Sequence, residues 1–119
     1  MRNRIKVLIV DDSALMRRAL REIILTDDEL DVVGTARDGK DAIDKVRELR
    51  PDVVTMDINM PVMDGLTSMQ YILNDYPDLP VIIISSLSTV GAFTTFEALA
   101  LGAFDYVTKP SGTVSSNIH

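Results

Sequence analysis

Residues 5–12 read IKVLIVDD, an apolar run that ends in two aspartates, and residues 53–57 read VVTMD, a second run that ends in a third. Further apolar runs begin near residues 31, 81 and 104, and the segments between the runs repeat their apolar residues at helical period. Alternation of strands and helices is typical of a parallel sheet with helices packed on it. We therefore predict an α/β fold with a doubly wound, five-stranded parallel sheet.

Four complete helices are predicted between these strands. Ser13 is a suitable cap for the first helix, and the fourth begins near Ser88 or Thr89. The predicted inward residues are Met16, Ala19, Leu20, Ile23 and Ile24 in helix 1, Ala42, Ile43, Val46 and Leu49 in helix 2, Leu66, Met69, Ile72 and Leu73 in helix 3, and Phe93, Phe96 and Leu99 in helix 4, with Arg17, Arg18 and Arg21 on the opposite face of helix 1. Phe93 and Phe96 cannot both face inward easily, so one is expected on a partner-binding surface.

The sequence after the fifth strand is too short for another helix, because only PSGTVSSNIH follows Lys109. We predict a domain over residues 1–110 and a tail, or the start of a truncated final helix or linker, over residues 111–119. A missing fifth helix would leave apolar surface on the later strands bare. We therefore expect a piece of a longer protein, or a chain whose last helix was not retained.

Composition excludes several classes of protein. The chain has 119 residues, 46% of them hydrophobic, which suits a single domain. It has no cysteine for disulfides or thiolate metal sites, and it has no apolar run long enough to span a membrane. The net charge of −6 disfavours nonspecific binding to nucleic acid or to anionic membranes. We expect a cytoplasmic protein with no nucleic-acid or membrane partner.

Asp11, Asp12, Asp57 and Lys109 all follow apolar runs. In the flavodoxin-like strand order 2-1-3-4-5, ligands bind at the carboxyl ends of strands 1 and 3, so these charged groups should converge there. Two like charges 4 Å apart repel by roughly 4 kcal/mol at a near-surface dielectric. Three carboxylates therefore need a cation, and we predict a divalent metal ion beside a reactive carboxylate, which is the chemistry of phosphoryl transfer.

Four segments resemble the receiver domains of bacterial response regulators. They are VDDSALMR at residues 10–17, PDVVTMDINMPVMDGL at 51–66, VIIISS at 81–86 and LGAFDYVTKP at 101–110. More narrowly, the SALMR helix start, the SSLS stretch and the GAFDYVTKPSG ending resemble the receiver half of chemotaxis protein-glutamate methylesterases. The resemblance implies a domain that a histidine kinase phosphorylates and that controls a methylesterase in cis or another output partner.

The resemblance also implies the roles of the charged residues. Asp57 is the phosphoacceptor, and Lys109 pairs with the phosphoryl oxygens. Asp12 binds Mg²⁺ (or Mn²⁺) directly, Asp11 does so mainly through water, and the backbone carbonyl of Asn59 completes the protein ligands. Mg²⁺ prefers such a partial set of oxygen ligands with retained waters.

Two further residues are implied to be a switch. Ser85 would reach for the phosphate, and Tyr106 would follow it inward. From the residues alone, Ser86 is an equal candidate for the hydroxyl, and Tyr106 reads as ordinary edge packing. The Lys109–Pro110 peptide bond is implied to be cis.

Simpler explanations exist for each signal alone. Asp11 or Asp12 could be a helix cap, Asp57 a turn residue and Lys109 a solvated lysine. Capping leaves Asp57 and Lys109 unexplained, however, and joint placement at the strand ends favours a common site.

Three other functions remain open at this point. They are a receiver with a DNA-binding or stand-alone output, an aspartyl-phosphate phosphatase of the haloacid-dehalogenase type, and a flavodoxin-like FMN carrier. The phosphatase would place its nucleophile in a D-x-D motif after strand 1, whereas this chain has Asp11-Asp12-Ser13, and no glycine-rich phosphate loop supports the FMN carrier. Since His119 stands alone in the tail, no Ser/His/Asp triad is available. We therefore expect a chain that is not an enzyme and that catalyses only its own phosphorylation and dephosphorylation, although the full-length protein could be a methylesterase.

Overall fold

The computed structural model describes residues 3–86 and 89–109. Strands and helices alternate along the chain as β1 Ile5–Val10, α1 Ala14–Ile24, β2 Leu30–Ala36, α2 Gly39–Leu49, β3 Val53–Asp57, α3 Gly65–Asp75, β4 Val81–Ser85, α4 Thr89–Ala100 and β5 Asp105–Thr108. The strands form one sheet in the order β2-β1-β3-β4-β5, and every neighbouring pair is parallel. The predicted flavodoxin-like fold is therefore confirmed. The described residues end at Lys109, one residue after β5, and include no fifth helix.

Strand β1 shows why the sheet is covered on both faces. Leu8 and Val10 belong to the larger core cluster, which includes residues of α2, α3 and α4. Val7 and Ile9 point the other way, into a smaller cluster with Leu20 of α1. Because successive side chains of a strand alternate between faces, a continuous apolar run is needed for burial on both sides.

Short polar residues fix where the first three helices begin. The side chains of Ser13, Asp38 and Asp64 accept hydrogen bonds from the backbone amides of the third residue after each, at 3.2, 2.8 and 2.8 Å. These bonds satisfy amides that have no partner within the helix. The predicted cap at Ser13 is confirmed.

Two predicted helix faces are wrong in part. Ile23 was predicted to face inward but is 53% exposed, and Phe93 and Phe96 are 71% and 73% exposed. The buried residues of α4 include the small Thr95 and Ala98, at 5% and 0% exposure, while the predicted Leu99 is partly buried and does pack against the core. Both phenylalanines therefore lie on the solvent side of α4.

Several predictions lie outside the described residues. They concern the cis Lys109–Pro110 bond, Ser88 as the start of helix 4, the later part of the SSLS stretch and the tail at residues 111–119. Among the helices that the structure does describe, none combines the length and the apolar character needed to cross a membrane.

Gly65 lets α3 start directly against the end of β3. Its amide donates a 2.8 Å hydrogen bond to the carbonyl of Ile58, and a methyl group in place of its hydrogen would overlap the carbonyl oxygen of Asp57. The loop between β3 and α3 is thus held tightly at both ends. Glycine is required at this position because no other residue leaves room for that backbone.

We predict that Gly65→Ala lowers the free energy of unfolding by about 1–3 kcal/mol, because the new methyl group must displace backbone rather than a side chain. Urea unfolding measures this change. The control is Gly34→Ala, whose methyl group would come within 2.6 Å of the flexible end of the Leu49 side chain and would lie in ordinary contact, at 3.9 Å, with the end of Leu8. A loss for Gly65→Ala no greater than that for the control would contradict the prediction.

Candidate functional site

Three aspartates meet at the carboxyl ends of β1 and β3. Asp11 and Asp12 follow β1 directly, and Asp57 is the last residue of β3. Each aspartate contributes one carboxylate oxygen to a group in which the three oxygens lie within 4.8 Å of one another. Asp11 and Asp57 are 0% and 3% exposed, whereas Asp12 is exposed. The adjacency of β1 and β3 in the sheet brings residues 46 positions apart into one pocket.

Lys109 reaches this pocket from the far side of β4. Its backbone amide donates a 2.7 Å hydrogen bond to the carbonyl of Ser85, which extends the pairing of β4 with β5 by one residue. Its Nζ lies 2.9 Å from Oδ1 of Asp57 and 3.9 Å from Oδ2 of Asp11. The structure therefore brings together all four charged residues that the sequence placed at strand ends.

One lysine does not satisfy the buried carboxylates. Oδ2 of Asp11 and Oδ2 of Asp57 are both buried without a hydrogen-bond partner among the residues that the structure describes. Unpaired buried oxygens of this kind are costly, and few occur in folded proteins. The two oxygens are therefore available to a ligand that carries positive charge or donates hydrogen bonds.

Burial dominates the acid–base behaviour of both aspartates. Burial raises the pKa of Asp11. The hydrogen bond from the Ser13 amide offsets part of this increase, and the negative charge of Asp57 adds to it. Burial also raises the pKa of Asp57, and the hydrogen bond from Lys109 offsets this only in part. Each charged carboxylate thus destabilises the folded state near neutral pH.

The pKa of Lys109 is also raised, which for a lysine favours the charged form. Burial by itself would lower its pKa, but the hydrogen bond and the charge of Asp57, with the charges of Asp11 and Asp12, outweigh burial and raise the pKa. The lysine is therefore held in its charged form. Its contribution to stability is complete below the pKa of an unfolded lysine and is lost only as the pH rises through the higher folded value.

The donor set fits a hard divalent cation. Asp11, Asp12 and Asp57 offer carboxylate oxygens in one group, and two of those oxygens have no other partner. Carboxylate oxygen is the donor that Mg²⁺, Mn²⁺ and Ca²⁺ prefer. Asn59 stands two residues after Asp57 in the loop toward α3, with its side chain exposed.

Ser85 and Tyr106 lie beside this pocket. Ser85 is the last residue of β4 and is 7% exposed, while the Tyr106 side chain in β5 is 49% exposed. Both line a cavity of about 230 Å³ between the sheet and α4, with Thr95 and Phe96 among its other walls. A ring that moved inward from the position of Tyr106 would have this space to enter.

Sequence reasoning missed a contact made by Arg17. It placed Arg17 on the solvent side of α1, but the residue is only partly exposed, and its Nη1 donates a 2.7 Å hydrogen bond to the backbone carbonyl of Asp11. A signal was present, because a cation in the first turn of a helix opposes the helix dipole and calls for a nearby acceptor. Arg18 and Arg21 are exposed as predicted.

Comparison with known proteins connects this site to a family. The family model described as "Response regulator receiver domain" matches residues 7–115. The protein-glutamate methylesterase/protein-glutamine glutaminase of Caldanaerobacter subterraneus is 62% identical over 118 residues, which are 99% of this chain and 32% of the relative.

Two solved structures are similar in fold and sequence. The response regulator domain of Thermotoga maritima CheB is 46% identical with a TM-score of 0.82, and the match covers 93% of this chain and 82% of that one. The CheX-CheY-BeF₃-Mg²⁺ complex from Borrelia burgdorferi contains a chain that is 33% identical with a TM-score of 0.78, matched over 93% of this chain and 82% of that one.

The expectation that the chain is not an enzyme is wrong. The Caldanaerobacter relative and two others, at 63% and 62% identity, all carry the name of an enzyme, protein-glutamate methylesterase/protein-glutamine glutaminase. The chain spans about a third of their length, 32% in each case. The expectation failed because it judged activity from residues that correspond to only that part of the relatives.

We predict that Asp11→Asn raises the free energy of unfolding at pH 7 in EDTA, because the amide removes a buried charge while its oxygen can still accept from Ser13. The folded protein holds the Asp11 proton at higher pH than the unfolded chain does. The gain should therefore shrink as the pH falls through the raised pKa, and it should vanish below the ordinary value of 3.8.

Urea unfolding at a series of pH values tests this expectation. Asp78→Asn is the control, since that side chain is exposed. An Asp11→Asn gain that does not depend on pH, or a loss of stability at pH 7, would show that the buried charge of Asp11 is not destabilising.

Proposed function

The chain belongs to the family of response regulator receiver domains, and on that premise we propose that a histidine kinase phosphorylates it on Asp57 to control a methylesterase. The observation that carries the proposal is the state of the Asp57 carboxylate. Its Oδ1 is bound by Lys109 at 2.9 Å, and its Oδ2 is buried without a partner beside two further carboxylates. One oxygen is thus held by the lysine, and the other has no partner among the described residues.

Asp57 is the nucleophile in this proposal. A carboxylate oxygen forms a bond to phosphorus as the bond from phosphorus to the nitrogen of the kinase phosphohistidine breaks, and the product is a mixed anhydride. The electron pair of the broken bond returns to the histidine nitrogen. Phosphoryl transfer of this kind depends more on positioning and charge compensation than on covalent assistance. Lys109, held in its charged form, supplies one positive charge to the phosphoryl oxygens.

The acidic group is proposed to hold Mg²⁺, with Mn²⁺ as a substitute. The carboxylates of Asp11, Asp12 and Asp57 and the backbone carbonyl of Asn59 would be the protein ligands, and Asp11 would act mainly through water. When bound, the ion supplies positive charge to the phosphoryl oxygens as they approach. The two unpartnered buried oxygens support this assignment, as does the Mg²⁺ named with the Borrelia burgdorferi relative.

Ser85 and Tyr106 are proposed to report phosphorylation to the rest of the protein. A phosphoryl group adds about 1.5 to 2 negative charges and three strong acceptors. Ser85 can donate its hydroxyl hydrogen to one of them if the end of β4 moves inward. The 230 Å³ cavity that Ser85 and Tyr106 share gives the tyrosine ring a place to follow.

The output is proposed to be a methylesterase domain in cis, restrained until Asp57 is phosphorylated. The names of the three relatives, of which this chain spans about a third, support this output. We further propose that residues 1–110 form the receiver and that residues 111–119 are a tail or the start of a truncated final helix or linker. We also propose that the protein works in the cytoplasm without a nucleic-acid or membrane partner of this segment.

We predict that Asp57→Asn abolishes phosphorylation by acetyl phosphate in the presence of Mg²⁺, because an amide oxygen is a much weaker nucleophile than a carboxylate. Mass spectrometry under conditions that preserve acyl phosphates measures the product. The matched control is Asp64→Asn, which removes a nearby carboxylate but keeps an equally good cap for α3. Undiminished labelling of Asp57→Asn would remove Asp57 as the acceptor.

Ser85→Ala should leave phosphorylation intact but reduce the response of Tyr106, because the hydroxyl that draws the end of β4 inward is gone. The response is the shift of the Tyr106 ring signals in NMR spectra when beryllofluoride and Mg²⁺ are added. Ser86→Ala, the exposed neighbour, is the control and should respond as the wild type does. If Ser86→Ala loses the response and Ser85→Ala keeps it, the switch hydroxyl has been assigned to the wrong serine.

A further inference from the structure

The three arginines of α1 are not equivalent. Arg18 is 79% exposed at its side chain and pairs with Glu22, one turn further along, at 3.3 Å. Arg17 instead turns back toward the acidic pocket and donates from Nη1 to the carbonyl of Asp11 at 2.7 Å. The short distance is typical of a hydrogen bond from a charged donor.

This bond is one of three hydrogen bonds that hold Asp11 in place. The amide of Asp11 donates to the carbonyl of Ala36 in β2 at 3.0 Å, and its Oδ1 accepts from the amide of Ser13 at 2.9 Å. With Arg17 on its carbonyl, both backbone groups and one carboxylate oxygen have partners. Only Oδ2 is left without a hydrogen bond, and it is the oxygen nearest to Lys109.

The position of Arg17 is unfavourable for the helix alone. Arg17 lies in the first turn of α1, and its amide is bonded to the carbonyl of Ser13 at 2.9 Å. A positive charge there opposes the helix dipole. The hydrogen bond from Arg17 to the carbonyl of Asp11 offsets that penalty.

We infer that Arg17 is a positioning residue of the acidic pocket. Its hydrogen bond holds the backbone of Asp11 so that the free carboxylate oxygen of Asp11 and the adjoining Asp12 face a divalent cation. The inference rests on the proposed function, because it concerns the same cation site. It adds a residue that donates to the backbone of a cation ligand without being a ligand itself. Partners of this kind orient the ligands that they contact.

The test compares Mg²⁺ binding by Arg17→Gln and Arg18→Gln, which remove the same charge from consecutive positions of one helix. Mg²⁺ affinity is measured for the 119-residue chain by isothermal titration with MgCl₂, and thermal unfolding is measured in EDTA. We expect Arg17→Gln to bind Mg²⁺ about tenfold more weakly, as is typical when a partner of a metal ligand is lost. Arg18→Gln should bind as the wild type does.

The outcomes separate this inference from the proposed function. Equal Mg²⁺ affinities of the two glutamine variants overturn the inference while leaving the proposed function intact, and so does a lower unfolding temperature of Arg17→Gln with unchanged affinity. Wild-type protein that binds no Mg²⁺ overturns both.

A second pair of variants covers the case in which Arg17→Gln does not fold. Arg17→Lys keeps the charge but replaces the planar donor group by a flexible ammonium, so it should bind Mg²⁺ more weakly than Arg18→Lys does. Equal affinities in that pair overturn the inference.

Discussion

The mutual burial of Asp11 and Asp57 is the constraint on which the site depends. At a near-surface dielectric, two like charges about 4 Å apart repel by roughly 4 kcal/mol, and an opposite charge at that distance attracts by a similar amount. Lys109 lies 2.9 Å from Asp57 but 3.9 Å from Asp11, so it compensates mainly one of the two buried carboxylates. Asp12 adds further negative charge to the same group. The pocket is left with an excess of negative charge, which a divalent cation would compensate.

The sheet supplies this arrangement through its connections rather than through local sequence. Asp11 and Asp57 end adjacent strands, while Lys109 follows a strand two places away and reaches across β4. The bond from the Lys109 amide to the Ser85 carbonyl ties the backbone of the lysine to the end of β4. In the proposed switch, an inward movement of Ser85 would therefore also move the backbone of Lys109. The lysine that compensates charge and the serine proposed to sense phosphorylation are thus linked by one backbone hydrogen bond.

The sequence predicted the fold and the convergence of the charged residues because both follow from strand ends. Parallel strands all end at the same edge, so a charged residue after each apolar run is placed without knowledge of packing. The inward faces were less predictable. Spacing shows which residues share a helix face, but it does not choose between two apolar faces, and in α4 the chosen face is that of Thr95 and Ala98. The contact of Arg17 also escaped prediction, since it depends on where one long side chain turns.

The unusual face of α4 has a consequence for the proposed switch. The contacts of α3 with the core include the fully buried Met69 and Ile72, at 0% and 2% exposure, whereas the buried contacts of α4 include the small Thr95 and Ala98, and its Leu99 is only partly buried. The free-energy cost of moving a helix rises with the apolar area that the movement exposes to water, at about 25 cal/mol per Å². Small inward side chains uncover little, and the hydroxyl of Thr95 bonds within its own helix, to the carbonyl of Gly91 at 2.7 Å, so this bond can move with α4. Of these two helices, α4 is therefore the one that can shift at lower cost, and it borders the cavity into which Tyr106 would move.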